Sequence, residues 1–298
     1  MSLNAHGNFR PRLVVFGAGY VGGAVALAAV ARGWRVTALT RNAARASDLR
    51  DAGAETVEAD LAGREWLERV PAEAEFVLNS VSSGGGGLES YRHSYVHGME
   101  RVVEWAQRGR VGTMVYTSST SVYPQGGGAE VDESAPTEPA GERAALLLEA
   151  ERLAAGAGPA IARTFILRLA GIYGPDRNYL LEQLRSGEAL PGTGAQRLNL
   201  AHRDDIVAAI LACFDAPAAV SGGVFNVADD APAPKAAVVA WLAARLGLPP
   251  PVFDPGATGR RRPETPDRVI LNRKLKQALG WRPVHADYRA GYGSLLSR

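Results

Sequence analysis

The chain has 298 residues, 46% of them apolar and 21% charged, ordinary proportions for a water-soluble globular protein with room for one large domain or two intimate lobes. Its net charge of +2 gives no electrostatic reason to expect nucleic acid or a membrane surface, and no stretch reaches ~18 apolar residues. A single cysteine, Cys213, excludes an internal disulfide; with an N-terminus that lacks an apolar core, it points to a cytoplasmic protein.

Residues 12–120 alternate between two hydrophobic periods. RLVVFG (12–17) reads as a short β-branched strand, and YVGGAVALAAVARG (20–33) as a helix of small apolar residues. WRVTALT (34–40) follows as a strand, then NAARASDLRDAG (42–53) as a polar helix closed by Gly53. TVEADL (56–61), FVLNSV (76–81) and GTMVYTSS (112–119) are further strands, with a helix over 91–109 before the last. FILRLAGIYG (165–174) and GGVFNVAD (222–229) read as a sixth and a seventh. Strands separated by helices imply right-handed βαβ units and a parallel sheet covered on both faces. The expected fold class is therefore α/β, a Rossmann-type doubly wound sheet with a small C-terminal lobe. The dinucleotide-binding part takes residues 1–172 and 200–230, and the smaller substrate lobe 173–199 and 231–298. In that lobe PKAAVVAWLAARLG (234–247) and NRKLKQALGW (272–281) read as helices.

The first strand runs into Gly17-Ala18-Gly19-Tyr20-Val21-Gly22, a G-x-G-x-x-G between a strand and a small-residue helix. Gly17 permits the tight turn, Gly19 admits a pyrophosphate to the backbone, and Gly22 allows close helix–sheet packing. The helix N-terminus then offers N–H groups and a positive dipole end to the phosphates. Cofactor contacts are expected from Gly17, Gly19, Tyr20, Val21 and Gly22, and from Asn79 and Ser80 at the end of the fourth strand. An NAD site usually places an acid at the end of the second strand for the ribose 2′-hydroxyl. Here Thr40-Arg41-Asn42 stands instead, and Arg41 suits a 2′-phosphate by charge-assisted hydrogen bonds. NADP is expected over NAD.

Further stretches, taken in order, resemble the extended and atypical short-chain dehydrogenases/reductases of the epimerase/dehydratase type. Asp60-Leu61 resembles the family's adenine-contacting acid, and YVHGMERVVEWA (95–106) its N-V-x-G-T-x-N-L-L-E-A-A helix, with Tyr95 in place of asparagine. SSTSVYP (118–124), VDESAP (131–136), RLAGIYGP (168–175), HRDD (202–205), GGVFNVADDAP (222–232) and LGWRP (279–283) complete the series. The resemblance implies an NAD(P)-dependent oxidoreductase, epimerase or dehydratase acting on a sugar-like or nucleotide-sugar substrate. It also implies a small-molecule partner and a homodimer through a helix pair that includes 141–156.

Such enzymes are similar in a Tyr-x-x-x-Lys pair and an upstream Ser or Thr. A phenol titrates near ~10 and is a poor base at neutral pH unless positive charge stabilises its phenolate. In the family's frame Pro139 and Glu151 hold the ends, while Arg143 takes the tyrosine position and Leu147 the lysine position. No lysine precedes Lys235. Ser119 matches the family's hydroxyl, and Tyr123 or His97 are the substitute acid/base candidates. Arg143 stays protonated and suits an anionic substrate instead. The resemblance adds Arg262, in an Arg-Pro of the second lobe, and Arg197 as anion contacts. The histidines are scattered along the chain, and no metal site is expected. Asp204 and Asp205 read as caps of a helix starting near Ile206. The alternative to an enzyme with non-standard residues is a non-catalytic NADP(H)-binding sensor or scaffold.

Overall fold

A computed structural model describes residues 10–138, 141–256 and 266–297. Pro139 and the Arg260–Pro263 motif with Arg262 lie outside the described residues.

The first half follows the expected alternation. β1 (Arg12–Phe16), α1 (Tyr20–Ala31), β2 (Arg35–Thr40), α2 (Ala43–Asp51), β3 (Glu55–Glu58) and β4 (Glu73–Asn79) come in order. α3 (Leu88–Tyr91), a π-helical turn over Arg92–His97 and α4 (Gly98–Ala106) make one continuous helical passage to β5 (Arg110–Ser119). β6 (Ala129–Val131), α5 (Glu142–Ala155), β7 (Ile161–Leu169), β8 (Gly171–Tyr173) and α6 (Tyr179–Ser186) follow. Then come β9 (Leu190–Pro191), β10 (Arg197–Leu198), β11 (Leu200–His202), α7 (Arg203–Phe214) and β12 (Gly222–Val227). The rest is β13 (Ala233–Pro234), α8 (Lys235–Leu246), β14 (Phe253–Asp254), β15 (Arg268–Ile270), α9 (Arg273–Leu279) and α10 (Tyr288–Leu296).

The central parallel sheet has seven strands in the order β12-β7-β5-β4-β1-β2-β3. The strand order reverses at β1, whose Phe16 lies level with Leu39 on one side and Asn79 on the other. In doubly wound sheets the crevice outside the strand ends at such a reversal holds the ligand. The fold is Rossmann-like α/β.

One expected strand is broken. The run 165–174 divides at Ala170, where consecutive backbone N–H groups change acceptor: Ala170 N donates to Val227 O at 3.0 Å, Gly171 N to Asn199 O at 2.9 Å. β8 thus leaves the central sheet and pairs with β11.

The described residues form two compact units. One takes the chain up to Thr117 with Ala145–Ile166 and Cys213–Gly223; the other takes Ser118–Ala144, Leu167–Ala212 and the chain from Val224. In this grouping 118–144, 167–172, 200–212 and 224–230 fall in the second unit. Within the second unit Asn226 N donates to Glu133 Oε1 at 2.6 Å, and Arg268 donates to carbonyls at 120, 123 and 125.

The first unit's core rests on Phe16, whose ring centroid lies 5.0 Å from those of both Trp66 and Trp105. Both indole N–H groups are satisfied by carbonyls, Leu61 O and Val70 O, at 3.1 Å. Each such aromatic pair adds roughly 0.5–1.5 kcal/mol beyond area burial. The second unit is centred on Tyr173, Leu181, Leu200, Val239, Leu242 and Tyr292.

Candidate active site

The glycine loop behaves as a cradle. Gly17 has φ +80°, and a Cβ there would lie 2.6 Å from the Val81 nitrogen. A Cβ at Gly22 would lie 2.3 Å from Gly17 O, so these two glycines interlock. Gly19 is different: a Cβ there would meet nothing within 4 Å, which leaves its surface open to a ligand backbone-close. Leu39 O fixes the turn by accepting from both Gly17 N and Ala18 N. The cap residue Gly19 brings no side chain to the first-turn N–H groups of α1, and that turn carries no acid. An anion therefore meets donors and the positive end of the helix with no competing carboxylate. These residues fit a dinucleotide pyrophosphate.

Around the loop, Tyr20 is half-buried while Val21 and Leu61 are buried. Asn79 is 2% exposed; its carbonyl oxygen accepts from Val81 N and its amide faces Met99 Sδ at 3.8 Å. Asn79 thus shapes the loop from within, while Ser80 is half-buried and accepts from Thr117 Oγ1. Arg41 is exposed at the end of β2, with its Nη1 3.5 Å from Asp60 Oδ2. Asp60 Oδ1 accepts from Ala62 N at 2.9 Å and from His93 Nε2 at 3.2 Å. Burial pushes the Asp60 carboxyl up, but the Ala62 N–H, His93 and Arg41 outweigh it and hold it below the usual range. His93 was not among the expected site residues; its place becomes visible only when the helical passage after β4 turns its ring onto Asp60.

On α5, Leu147 and Glu151 are both buried, at 3% and 5% exposure, so the face that carries the family's lysine position is closed over. Near them Tyr116 is fully buried, and its hydroxyl has no hydrogen-bond partner among the described residues. Burial, then Tyr95 and Glu151, push that phenol far up. Arg143 is exposed.

In the second unit, Ser119 ends β5 half-buried, and its Oγ accepts from Ser121 N at 3.1 Å, which caps the short turn Thr120–Val122. Tyr123 is 2% exposed and donates its hydroxyl to Asn226 Oδ1 at 2.9 Å. Arg168 lies over its ring, 4.9 Å from the centroid. Burial pushes the Tyr123 phenol up, against the pull of Arg168 and Asn226. The geometry gives Tyr123 a packed, hydrogen-bonded place rather than that of an open acid. Arg197 is also committed: its Nη1 meets Asp267 Oδ2 at 2.7 Å, and its backbone N–H meets the other oxygen at 2.8 Å. Arg268, which no motif marked, is 4% exposed and donates to Thr120 O at 3.0 Å and to Tyr123 O.

The histidines are less scattered than their spacing suggests. His202 stacks on His285 with centroids 3.7 Å apart, and with Asp205 they offer ligand atoms within 4.8 Å of one another. The Asp205 oxygens are already taken by Val284 N, His285 N and His285 Nδ1 at 2.7–3.0 Å. Asp205 therefore ties down the 284–285 loop instead of capping the helix. His202 Nδ1 accepts from Asp204 N, which leaves Nε2 protonated, buried and without a partner among the described residues.

Residues 13–228 match the model of the NAD dependent epimerase/dehydratase family. The chain belongs to this family. Among relatives of this family member is a 3-diazoavenalumate denitrifying reductase from a Streptomyces species, 30% identical over 95% of this chain and 99% of that protein. A 2-alkyl-3-oxoalkanoate reductase from Stenotrophomonas maltophilia is 28% identical over 80% of the chain and 76% of its own length. A UDP-glucuronic acid 4-epimerase from Bacillus cereus, solved with UDP-glucuronic acid and NAD, superposes with a TM-score of 0.82. It covers 96% of this chain and 98% of its own at 17% identity, a likeness of fold. A conserved protein of unknown function from Silicibacter pomeroyi is 27% identical, with a TM-score of 0.76 over 96% and 98% of the two chains. No described helix of this epimerase/dehydratase-family chain is long and apolar enough to cross a membrane.

Proposed function

We propose that the chain is an NADP(H)-dependent reductase of a small-molecule carbonyl or comparable acceptor. The observation that carries this reading is Arg41 standing at the end of β2, beside a glycine cradle whose one open position is Gly19. A nicotinamide bound there supplies the hydride. Ser119 accepts a hydrogen bond from Ser121 N, so its hydroxyl proton is left to donate to an acceptor oxygen and polarise it. Tyr123, Asn226 and Arg268 hold the turn that presents Ser119. Water supplies the proton.

Reduction is preferred to sugar epimerisation on three grounds. An epimerase must first take a proton from a substrate hydroxyl, and a buried leucine stands where a lysine would stabilise the base. Arg197, offered as an anchor for sugar-nucleotide phosphates, is spent on Asp267. The relatives near 30% identity that carry an activity in their names are reductases. The second reading, a non-catalytic NADP(H)-binding sensor, is favoured by the sealing of both Tyr123 and Leu147.

The test is direct titration with NADPH and NADH, followed by NADPH consumption against a panel of ketones and aldehydes. Arg41→Ala should weaken NADPH tenfold or more and NADH little; equal effects would remove the NADP assignment. Tight binding without turnover on any acceptor favours the sensor.

A further inference from the structure

Asp60 is an odd neighbour for a 2′-phosphate site, because a carboxylate repels the phosphate and competes for its arginine. The structure shows how this is managed. Of the two carboxylate oxygens, Oδ1 carries the short contacts, Ala62 N at 2.9 Å and His93 Nε2 at 3.2 Å. Oδ2 faces Arg41 at 3.5 Å, well beyond the 2.7–2.9 Å of a committed charge-assisted bond. The Arg41 side chain is 56% exposed and lies beside a second glycine run, Gly84–Gly87, where a Cβ at Gly84 would sit 3.7 Å from Nη2. His93 is 49% exposed on the π-helical turn, and its ring meets His97 edge-on at 6.2 Å. Since a carboxylate only accepts, Nε2 bears the proton and His93 donates.

We propose that His93 is a specificity-determining residue: by holding the Asp60 carboxylate, it leaves Arg41 for a 2′-phosphate and shields that phosphate from the acid. This rests on the NADP reading above. Without His93, Asp60 closes on Arg41 and faces the phosphate as an unshared anion. Both effects act against a 2′-phosphate and neither acts against a 2′-hydroxyl. Removal of His93 therefore lowers selectivity without disturbing the glycine cradle.

The experiment measures dissociation constants of NADPH and NADH for the full chain, by calorimetry or nicotinamide fluorescence. It uses wild type, His93→Ala, Asp60→Asn, the double variant and Arg41→Ala. In His93→Ala, NADPH binding should weaken about three- to tenfold, as the released carboxylate competes with the phosphate for Arg41 and takes part of the strength of a charge-assisted bond. NADH should change less than about twofold on the same grounds. Asp60→Asn in the His93→Ala background should restore the preference for NADPH over NADH, a ratio that neither a loss of folding nor a lost adenine contact, common to both cofactors, would restore. Equal losses for both cofactors, or no restoration, overturn the proposal. If wild type prefers NADPH and Arg41→Ala erases the preference while His93→Ala keeps it, the inference alone falls. If wild type and Arg41→Ala both treat the two cofactors alike, the NADP reading falls and takes the inference with it.

Discussion

Tyr123 donates its phenolic proton to Asn226 Oδ1 at 2.9 Å while lying 2% exposed beneath Arg168. A tyrosine so placed braces the turn after β5. Tyr123→Phe should cost about 1–2 kcal/mol of stability, since Asn226 loses a buried partner. Reductase kcat should stay within a few-fold of wild type. Urea melts and steady-state kinetics check both; a hundredfold loss of kcat at unchanged stability would make Tyr123 an acid after all.

In the reductase proposed above, Ser119 is the hydroxyl assigned to the substrate oxygen. Ser119→Ala should lower kcat on the order of 10²-fold, the usual cost of one polarising donor. NADPH affinity should not change, because the glycine cradle is untouched. A Ser119→Ala enzyme of full activity would remove the residue from the chemistry.

Gly19 separates folding from binding. A methyl there meets nothing within 4 Å, so Gly19→Ala should melt within about 1 kcal/mol of wild type. It should still lose dinucleotide affinity tenfold or more, because the methyl fills the space a pyrophosphate needs. Gly22→Ala, 2.3 Å from Gly17 O, should lose both. Unchanged NADPH binding by Gly19→Ala would displace the pyrophosphate from this loop.

Asp229 and His202 set opposing pH dependences. Burial raises the Asp229 carboxyl to about 8, and Asp230, Asp287 and Asp205 add to it. The folded chain then holds a proton that the unfolded chain has lost, so stability falls as pH rises from about 4 to about 8. Burial, then His285, lowers His202 to about 4 from 6.5, so stability falls as pH drops through that interval. Below pH 6.5 the two slopes cancel, and above it only Asp229 acts. Wild type should lose about 2 kcal/mol between pH 6.5 and 8. Asp229→Asn should abolish that loss; wild-type denaturant curves that coincide at the two pH values would refute it.

What could be read from the sequence was local. The β1 run, the glycine spacing and Arg41 at the end of β2 each lie within a few residues of what they act on, so periodicity and spacing suffice. The misread strand 165–174 shows the limit. Its break at Ala170 is decided by Val227 and Asn199, which no window around 170 contains. His93 reaches Asp60 across 33 positions, and His285 reaches Asp205 across 80. Both pairings exist only because the sheet and the second unit return the chain to the same place. Arg268 carried no signal, because an arginine opening a short strand looks like any exposed edge residue until its carbonyl partners are known.

That arginine also imposes an order of events during synthesis. Thr120 and Arg268 are 148 positions apart, and the guanidinium bonded to Thr120 O is what ties down the turn bearing Ser119. Ribosomes add roughly 5–20 residues per second. The turn therefore waits on the order of ten seconds for its clasp, long after the glycine loop and its sheet partners have emerged. A nascent chain halted before residue 268 would carry the complete glycine loop while the turn bearing Ser119 still lacks its clasp.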